Sequence, residues 1–550
     1  MCAVVGVYRR PESLLGSVSQ YALSMLDNQS NRGGDGWGFA GFEGPDKPFR
    51  IRVSKQSVKN MSRGTAAWLS KNFGNSSTII GHVRYATSGS VTRKNNHPVT
   101  NDPEGKLPPY ERIALAFNGN IANAPELRTE LARKGIVFET PTDTEVLLRL
   151  IEFLRKQQIA NGQTDPDYEQ IFREVDKNID GACSMVLTDG LGNMLGYRNS
   201  LGIRPLWIAE TKNGLVQIGS ESSAFEGLKG TPKELPPGEI LYCNRKARTV
   251  ETKFVGRPDP HSTGQECTRP VKLCAFEALY FQNAASEIFG RSNDETRYQI
   301  GLQTAEIVAP QIAGISAKER DDILVVPVPN TGIPYARGLF HGLLDRGLVS
   351  SKAYTQAIIR HGHKRAFQSR TKDRLAEIER KYSVLPGSVK GKKVFVCDDT
   401  LVRGDASEVL TRKLYEAGAA EVHWVIGSPP ILGSDYYGIN LPSLEELAFW
   451  KVWQKSSAEE RSHLYASNGG NAPLKANLKL LGEKVADLIM PAKARGTNFK
   501  VTVTYLPRKK LEAVLPGGAD RYNLAYFTGH YPTSKGQQLF DANLDKLVAA

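Results

Sequence analysis

Lys393-Val394-Phe395-Val396-Cys397-Asp398-Asp399-Thr400-Leu401-Val402-Arg403-Gly404-Asp405-Ala406-Ser407-Glu408-Val409-Leu410 is the stretch that says most about the fold. Val394 to Cys397 is a short unbroken apolar run, as expected of a parallel strand buried on both faces. From Ser407, the apolar residues Val409, Leu410, Leu414 and Ala417 recur at helical spacing, and Gly418 follows as a C-cap. Between strand and helix stand two adjacent carboxylates, then Thr400, Arg403 and Gly404. A loop so placed turns backbone N–H groups and the positive helix end toward an anion, which suits a phosphate. Two carboxylates at the carboxyl end of the strand suit sugar hydroxyls or a magnesium ion. The bland alternative is an ordinary turn with a solvated Asp pair. The complete strand–Asp-Asp–loop–helix pattern favours a binding loop.

A chain of 550 residues has room for two domains, or three, each with a sizeable core. Its 71 basic and 58 acidic residues leave a net charge of +13. No basic block with interleaved aromatics accompanies that excess, so small polyphosphorylated substrates explain it better than nucleic acid. Six cysteines with no CxxC pair exclude a disulfide scaffold and a zinc ribbon. No apolar run approaches the roughly 18 residues of a membrane span. No basic stretch followed by an apolar one opens the chain, so a soluble, cytoplasmic protein without a membrane partner is expected.

A second strand, Ile323 to Pro329, leads into Asn330-Thr331-Gly332, a polar glycine-containing loop apt for pyrophosphate. Residues 359–382 carry Arg360, His361, His363, Lys364, Arg365, Arg370, Lys372, Arg374, Arg380 and Lys381. Beside an anion-binding loop, this dense basic segment reads as a flap closing over substrate rather than as a solvated face. Gly256 to Gly264, rich in Pro, Gly and polar residues, reads as a linker.

At the other end, Cys2 precedes the apolar run Ala3-Val4-Val5-Gly6-Val7-Tyr8, a buried strand. Behind so small a residue, removal of the initiator methionine is expected, leaving Cys2 a free α-amine. Amine and thiol each exchange a proton near neutral pH, so an N-terminal nucleophile can use its own amine as general base. Three further stretches support a chemical role for Cys2. Gly81-His82-Val83-Arg84-Tyr85-Ala86-Thr87-Ser88-Gly89 supplies an Arg for a carboxylate. Ala114 to Phe117 is a strand ending in Asn118-Gly119-Asn120, which suits an oxyanion. Thr142-Asp143-Thr144-Glu145 starts a helix and offers a carboxylate to an ammonium.

Cys2, Asn31-Arg32-Gly33, Gly81 to Gly89, Phe117 to Arg128 and Thr142 to Glu145 together resemble the class II glutamine amidotransferases. The Asp-Asp loop is similar to the ribose-phosphate loop of type I phosphoribosyltransferases. With Cys274 to Phe281, Val326 to Asn330, Arg365-Ala366-Phe367, Gly427 to Ile431 and Tyr437 to Leu447, the whole resembles the glutamine phosphoribosylpyrophosphate (PRPP) amidotransferase family. The resemblance implies an α/β and α+β two-domain architecture. Residues 2–255 would form a four-layer αββα sandwich of the N-terminal-nucleophile type, 256–270 a linker, and 271–550 a mainly parallel-sheet phosphoribosyltransferase domain with a C-terminal extension.

The resemblance also implies roles. Cys2 attacks glutamine, Asn118 and Gly119 form the oxyanion hole, Arg84 holds the α-carboxylate and Asp143 the α-ammonium. Ammonia crosses a channel and displaces pyrophosphate from PRPP, giving 5-phosphoribosylamine for purine synthesis. Asn330, Thr331 and Gly332 take the pyrophosphate. Asp398 and Asp399 hold the ribose and Mg2+. Thr400, Arg403, Gly404, Asp405, Ala406 and Ser407 cradle the 5-phosphate, and Arg365 lies in the flap, which orders when PRPP binds. Purine nucleotide feedback inhibitors and a homo-oligomer, dimer or tetramer, are implied partners. Some members carry an iron–sulfur cluster; only Cys274 falls on a cluster position here, with Asn523 and Tyr526 on two others, so no cluster is expected.

The chain departs from the family's pattern in several places. Ala3 stands for the usual Gly, and Asn31-Arg32-Gly33-Gly34 for His-Arg-Gly-Gln. Gly404-Asp405-Ala406 replaces Gly-Thr-Thr or Gly-Asn-Thr, and Ala366 replaces Thr in the flap. The last two leave open a glutaminase with an altered phosphosugar acceptor, or one with an impaired, regulatory transferase domain.

Overall fold

The computed structural model describes residues 2–85, 95–257, 271–361, 371–466 and 475–549. In its first half, side-chain alternation along two central strands builds the layers. Ala3–Arg9 lies inside a seven-stranded sheet, antiparallel to Leu215–Gly219 on one side and to Thr78–Arg84 on the other. Ala3, Val5 and Val7 pack with residues of helices Ser19–Asn28 and Arg63–Asn72, whereas Val4 and Tyr8 face the opposite way. The second sheet has six strands, among them the antiparallel pair Ile113–Ile121 and Gly181–Asp189. Its Ile113, Leu115 and Phe117 join helices Ala124–Arg133, Asp143–Ala160 and Tyr168–Asn178. Its Ala114, Ala116 and Val186 meet Val4, Tyr8 and Ile80 of the first sheet. The order is therefore helices, sheet, sheet, helices, the four layers expected.

The second half is built on four parallel strands in the order Ile323–Pro327, Lys393–Asp398, Glu421–Ile426 and Lys500–Tyr505. Lys393–Asp398 is interior, and Val394 to Cys397 are buried, as an unbroken apolar run requires. The following helix starts at Asp405, two residues before its first buried side chain, because Gly404 turns the chain with φ +89°. It ends at Glu416 in a Schellman turn: Gly418, at φ +86°, donates to Tyr415 O, and Ala419 N donates to Leu414 O. A Cβ on Gly332 would lie 2.6 Å from Cys397 O, so the loop at 330–332 packs directly on the strand bearing the Asp pair.

The two halves are joined by buried charge. Arg32 pairs bidentately with Glu277 at 3.0 Å on each nitrogen, and Arg204 lies 3.4 Å from Glu277 and 3.7 Å from Asp435. Such groups stay buried only when paired and hydrogen-bonded. Most of the linker expected at 256–270 lies outside the described residues. Among the described residues no helix is long and apolar enough to cross a membrane.

Candidate active sites

Cys2 leads into the interior strand of the first sheet and is partly buried. Its Sγ lies 3.4 Å from both the backbone N and the backbone O of Tyr85. Arg32 Nε donates to Cys2 O at 2.9 Å, which ties the Asn31-Arg32-Gly33 loop to the thiol-bearing residue. Burial pushes the thiol up, opposed by the Tyr85 N–H and by the Arg84 and Arg32 guanidiniums. A Cβ on Gly33 would stand 2.4 Å from Arg84 O, so glycine is required for this close approach.

Asn118 is 1% exposed, and its Nδ2 has no hydrogen-bond partner among the described residues. A buried amide donor without a partner costs about 1–3 kcal/mol, which makes Asn118 Nδ2 a candidate donor to a bound oxygen. The strand does not stop at Asn118-Gly119-Asn120; it runs on to Ile121, because pairing with Gly181 to Ser184 carries the polar residues. Gly119 has φ +152°, and a Cβ there would meet Ala182 O at 1.9 Å, so no other residue fits. Arg84 Nη1 donates to Asn96 Oδ1 at 2.8 Å. Asp143 is buried at the first turn of its helix and accepts from Ile121 N at 3.2 Å, while Thr142 caps that helix through Glu145 N. One strand thus carries the orphan donor and touches the carboxylate.

In the second half, Thr331 and the run from Asp398 to Ser407 line a cavity of about 110 Å³ together with Arg360, Arg374 and Lys381. Asp399 N donates to Asp398 Oδ1 at 3.0 Å, and Thr400 Oγ1 donates to Asp399 Oδ2 at 2.9 Å. Burial first, and then the neighbouring carboxylate, push Asp398 well up; Asp399 is also raised by burial. A carboxylate pair in this state is short of positive charge, and its all-oxygen donor set fits a magnesium ion.

Asp405 faces two cations. Arg374 Nε lies 2.6 Å from one carboxylate oxygen and Lys451 Nζ 3.6 Å from the other. Glu446 lies 3.2 Å from Arg403 and 3.8 Å from Arg374, closing a network of three cations and two carboxylates. Arg374 was legible as one of many basic residues. Lys451 comes from distant sequence and gave no local signal; Glu446 lies in the Tyr437 to Leu447 stretch, where nothing local marks it as a partner of Arg403 or Arg374. Arg365 and Ala366 fall outside the described residues; of the basic segment, Ile358–Arg360 pairs with Tyr382–Val384, and Thr371–Lys381 is helical.

A larger cavity of about 1250 Å³ runs between the two sites. It touches Tyr85 and Gly33 at one end and Asn330 and Thr331 at the other, and it shares Tyr280, Thr331, Arg360 and Lys381 with the smaller cavity. Asn31, in place of the usual His, donates to Glu221 Oε1 at 3.0 Å and to Phe281 O at 3.1 Å, anchoring the cavity wall to the Cys2 loop. On the far side, Asn120 Nδ2 donates to Tyr436 O at 2.8 Å. Cys274 Sγ lies 3.6 Å from Tyr526 Oη, and Cys274 pairs in register with Asn523. A hydroxyl and an amide are not thiolates, so this donor set does not fit an iron–sulfur cluster.

Comparison with known proteins bears on both halves. Residues 94–227 match the family described as glutamine amidotransferase domain. The chain is 32% identical over 480 residues to amidophosphoribosyltransferase 1, chloroplastic, of Arabidopsis thaliana, covering 85% of this chain and 73% of that protein. It is 32% identical over 453 residues to amidophosphoribosyltransferase of Archaeoglobus fulgidus, covering 81% and 87%. Among solved structures, the B. subtilis glutamine PRPP amidotransferase complexed with ADP and GMP aligns with a TM-score of 0.71 at 24% identity, over 98% of each chain. The structural likeness speaks for the fold, and the sequence likeness along most of the chain carries the conclusion: this protein belongs to the amidophosphoribosyltransferase family.

Proposed function

We propose that the chain transfers the amide nitrogen of glutamine to C1 of PRPP, releasing glutamate and pyrophosphate and forming 5-phosphoribosylamine, the first committed purine precursor. The observation that carries this reading is the cavity joining the Tyr85 side of the first site to Thr331 and Lys381 beside the Asp pair. In the reading, residues 2–255 hydrolyse glutamine and residues 271–550 use the ammonia. Cys2 Sγ attacks the carboxamide with the Cys2 α-amine, freed by loss of Met1, as general base. Asn118 Nδ2 and the Gly119 N–H take the charge that develops on oxygen, while Arg84 and Asp143 hold the amino-acid end. Water then cleaves the thioester, and ammonia moves past Tyr280 and Phe281.

At the second site, Asn330, Thr331 and Gly332 hold the pyrophosphate, with Arg365 from the flap. Asp398 and Asp399 accept from the ribose hydroxyls and, as carboxylates, favour positive charge developing at C1. A magnesium ion held by this pair would neutralise the departing pyrophosphate. Thr400, Arg403, Gly404, Ala406 and Ser407 wrap the 5-phosphate against the start of the helix Asp405–Glu416. Asp405 is compatible with this because Arg374 and Lys451 already face its charge. A homo-oligomer regulated by purine nucleotides fits the same reading, the B. subtilis relative being named as complexed with ADP and GMP. A cytoplasmic location fits the composition, although the plant relatives are named chloroplastic.

The test is product formation by the purified protein with PRPP and Mg2+, supplied with glutamine or with ammonium. Phosphoribosylamine and pyrophosphate from both nitrogen sources are expected. Glutamate release without either product would overturn the transferase assignment.

A further inference from the structure

His97 and His82 lie beneath the glutamine site, and no role above uses them. His97 is 8% exposed and His82 fully buried, with ring centroids 4.2 Å apart. His97 Nδ1 accepts from Phe117 N at 3.4 Å, and its Nε2 lies 2.9 Å from Thr144 Oγ1. Because Nδ1 faces an N–H donor, the ring proton belongs on Nε2 and is donated to the Thr144 hydroxyl. From the other sheet, His82 Nε2 donates to Phe117 O at 3.1 Å.

Both polar groups of the Phe117 backbone are thus held by imidazoles. The neighbouring strand Val99–Thr100 pairs only with Leu115 and Ala114, so the edge at Phe117 needs a side-chain partner. The residue after Phe117 is Asn118, with its orphan donor; the residue before Thr144 is Asp143. Arg84 lies two positions beyond His82, and its guanidinium is held by Asn96, the residue before His97. Three proposed glutamine contacts therefore sit within two residues of a histidine bond.

We propose that His97 is a positioning residue for glutamine hydrolysis: one neutral imidazole joins the strand bearing the oxyanion donor to the helix start bearing the ammonium-binding carboxylate. The role rests on the glutaminase reading above. Burial, and then the Arg84 charge, push His97 down to about 3, which keeps Nδ1 free of a proton and able to accept. His82 is likewise held well below its ordinary value by burial and by His97.

The test compares His97→Leu, His97→Gln and Thr144→Val with the unaltered protein, measuring glutaminase KM and kcat and, separately, ammonia-dependent synthesis. His97→Leu is expected to raise the glutamine KM and lower the glutaminase kcat, each by about tenfold or more, with ammonia-dependent synthesis unchanged. His97→Gln presents an acceptor and a donor at similar spacing and is expected to restore both to within about threefold. A folded His97→Leu with both parameters within about twofold of the unaltered protein would overturn the proposal, as would a His97→Gln no better than His97→Leu. If His97→Leu does not fold, Thr144→Val decides: a raised glutamine KM supports the link, and an unchanged one refutes it. Absence of glutaminase activity in the unaltered protein would instead refute the underlying reading.

Discussion

Asp405→Asn tests whether the unusual carboxylate in the phosphate loop weakens PRPP binding. Taken alone, a carboxylate about 5 Å from a bound phosphate would oppose it by about 3 kcal/mol at an effective dielectric near 20, on the order of a hundredfold in affinity. Asp405 is not alone. Arg374 at 2.6 Å and Lys451 at 3.6 Å give the trio a net positive charge, and its carboxylate is only 15% exposed. Removing the negative charge also releases Arg374 toward Glu446, already 3.8 Å away, which takes back part of the gain. The PRPP KM, measured with saturating ammonium, is therefore expected to fall by less than tenfold, or about 1.4 kcal/mol. Arg374, 7% exposed, loses its closest partner, so stability should drop by about 1–3 kcal/mol in urea titration. A KM lowered by much more than tenfold would refute the reasoning and mean that the native loop is built to exclude PRPP.

Asn118→Ala should lower the glutaminase kcat by about 100- to 1000-fold while leaving ammonia-dependent synthesis intact; loss of both activities would detach Asn118 from the oxyanion role. Asp398→Asn or Asp399→Asn should abolish synthesis from either nitrogen source while Cys2 remains open to alkylation by a glutamine analogue; near-normal synthesis would make the pair an ordinary turn. His82 and His97 are neutral in the fold and take up protons only on unfolding, so stability is full above about pH 6.5 and falls as the pH drops below it. The loss should approach about 1.4 kcal/mol per pH unit for each ring, read from urea midpoints at several pH values, and His97→Gln should shrink the slope. An unchanged slope in that variant would contradict the assignment.

Much of this was readable from local pattern. An apolar run closed by Asp398-Asp399 and a glycine is a contiguous signal, and both the strand and the αL Gly404 are in place. Position alone did not single out Cys2; the stretches bearing Arg84, Asn118-Gly119 and Asp143 made it legible as a candidate nucleophile. The four layers were not readable from periodicity: Ala3 to Tyr8 are buried on both faces, so no polar alternation marks which side meets helices. Asn118-Gly119-Asn120 read as a strand end because polar residues suggest a turn, whereas pairing with Gly181 to Ser184 carries the strand through them. The contacts joining the halves escaped altogether. Arg32 with Glu277 and Asn120 with Tyr436 link residues far apart in the chain, where spacing holds no information. His97 passed unnoticed for the same reason, its partners Phe117 and Thr144 lying on other elements.

The central claim is that two separate sites are joined by one nitrogen, and Cys2→Ala tests it most directly. Phosphoribosylamine formation by that variant should be measured side by side with glutamine and with ammonium at saturating PRPP and Mg2+. Synthesis from glutamine is expected to vanish while synthesis from ammonium stays near that of the unaltered protein. Equal loss of both in a folded variant would contradict the two-site mechanism.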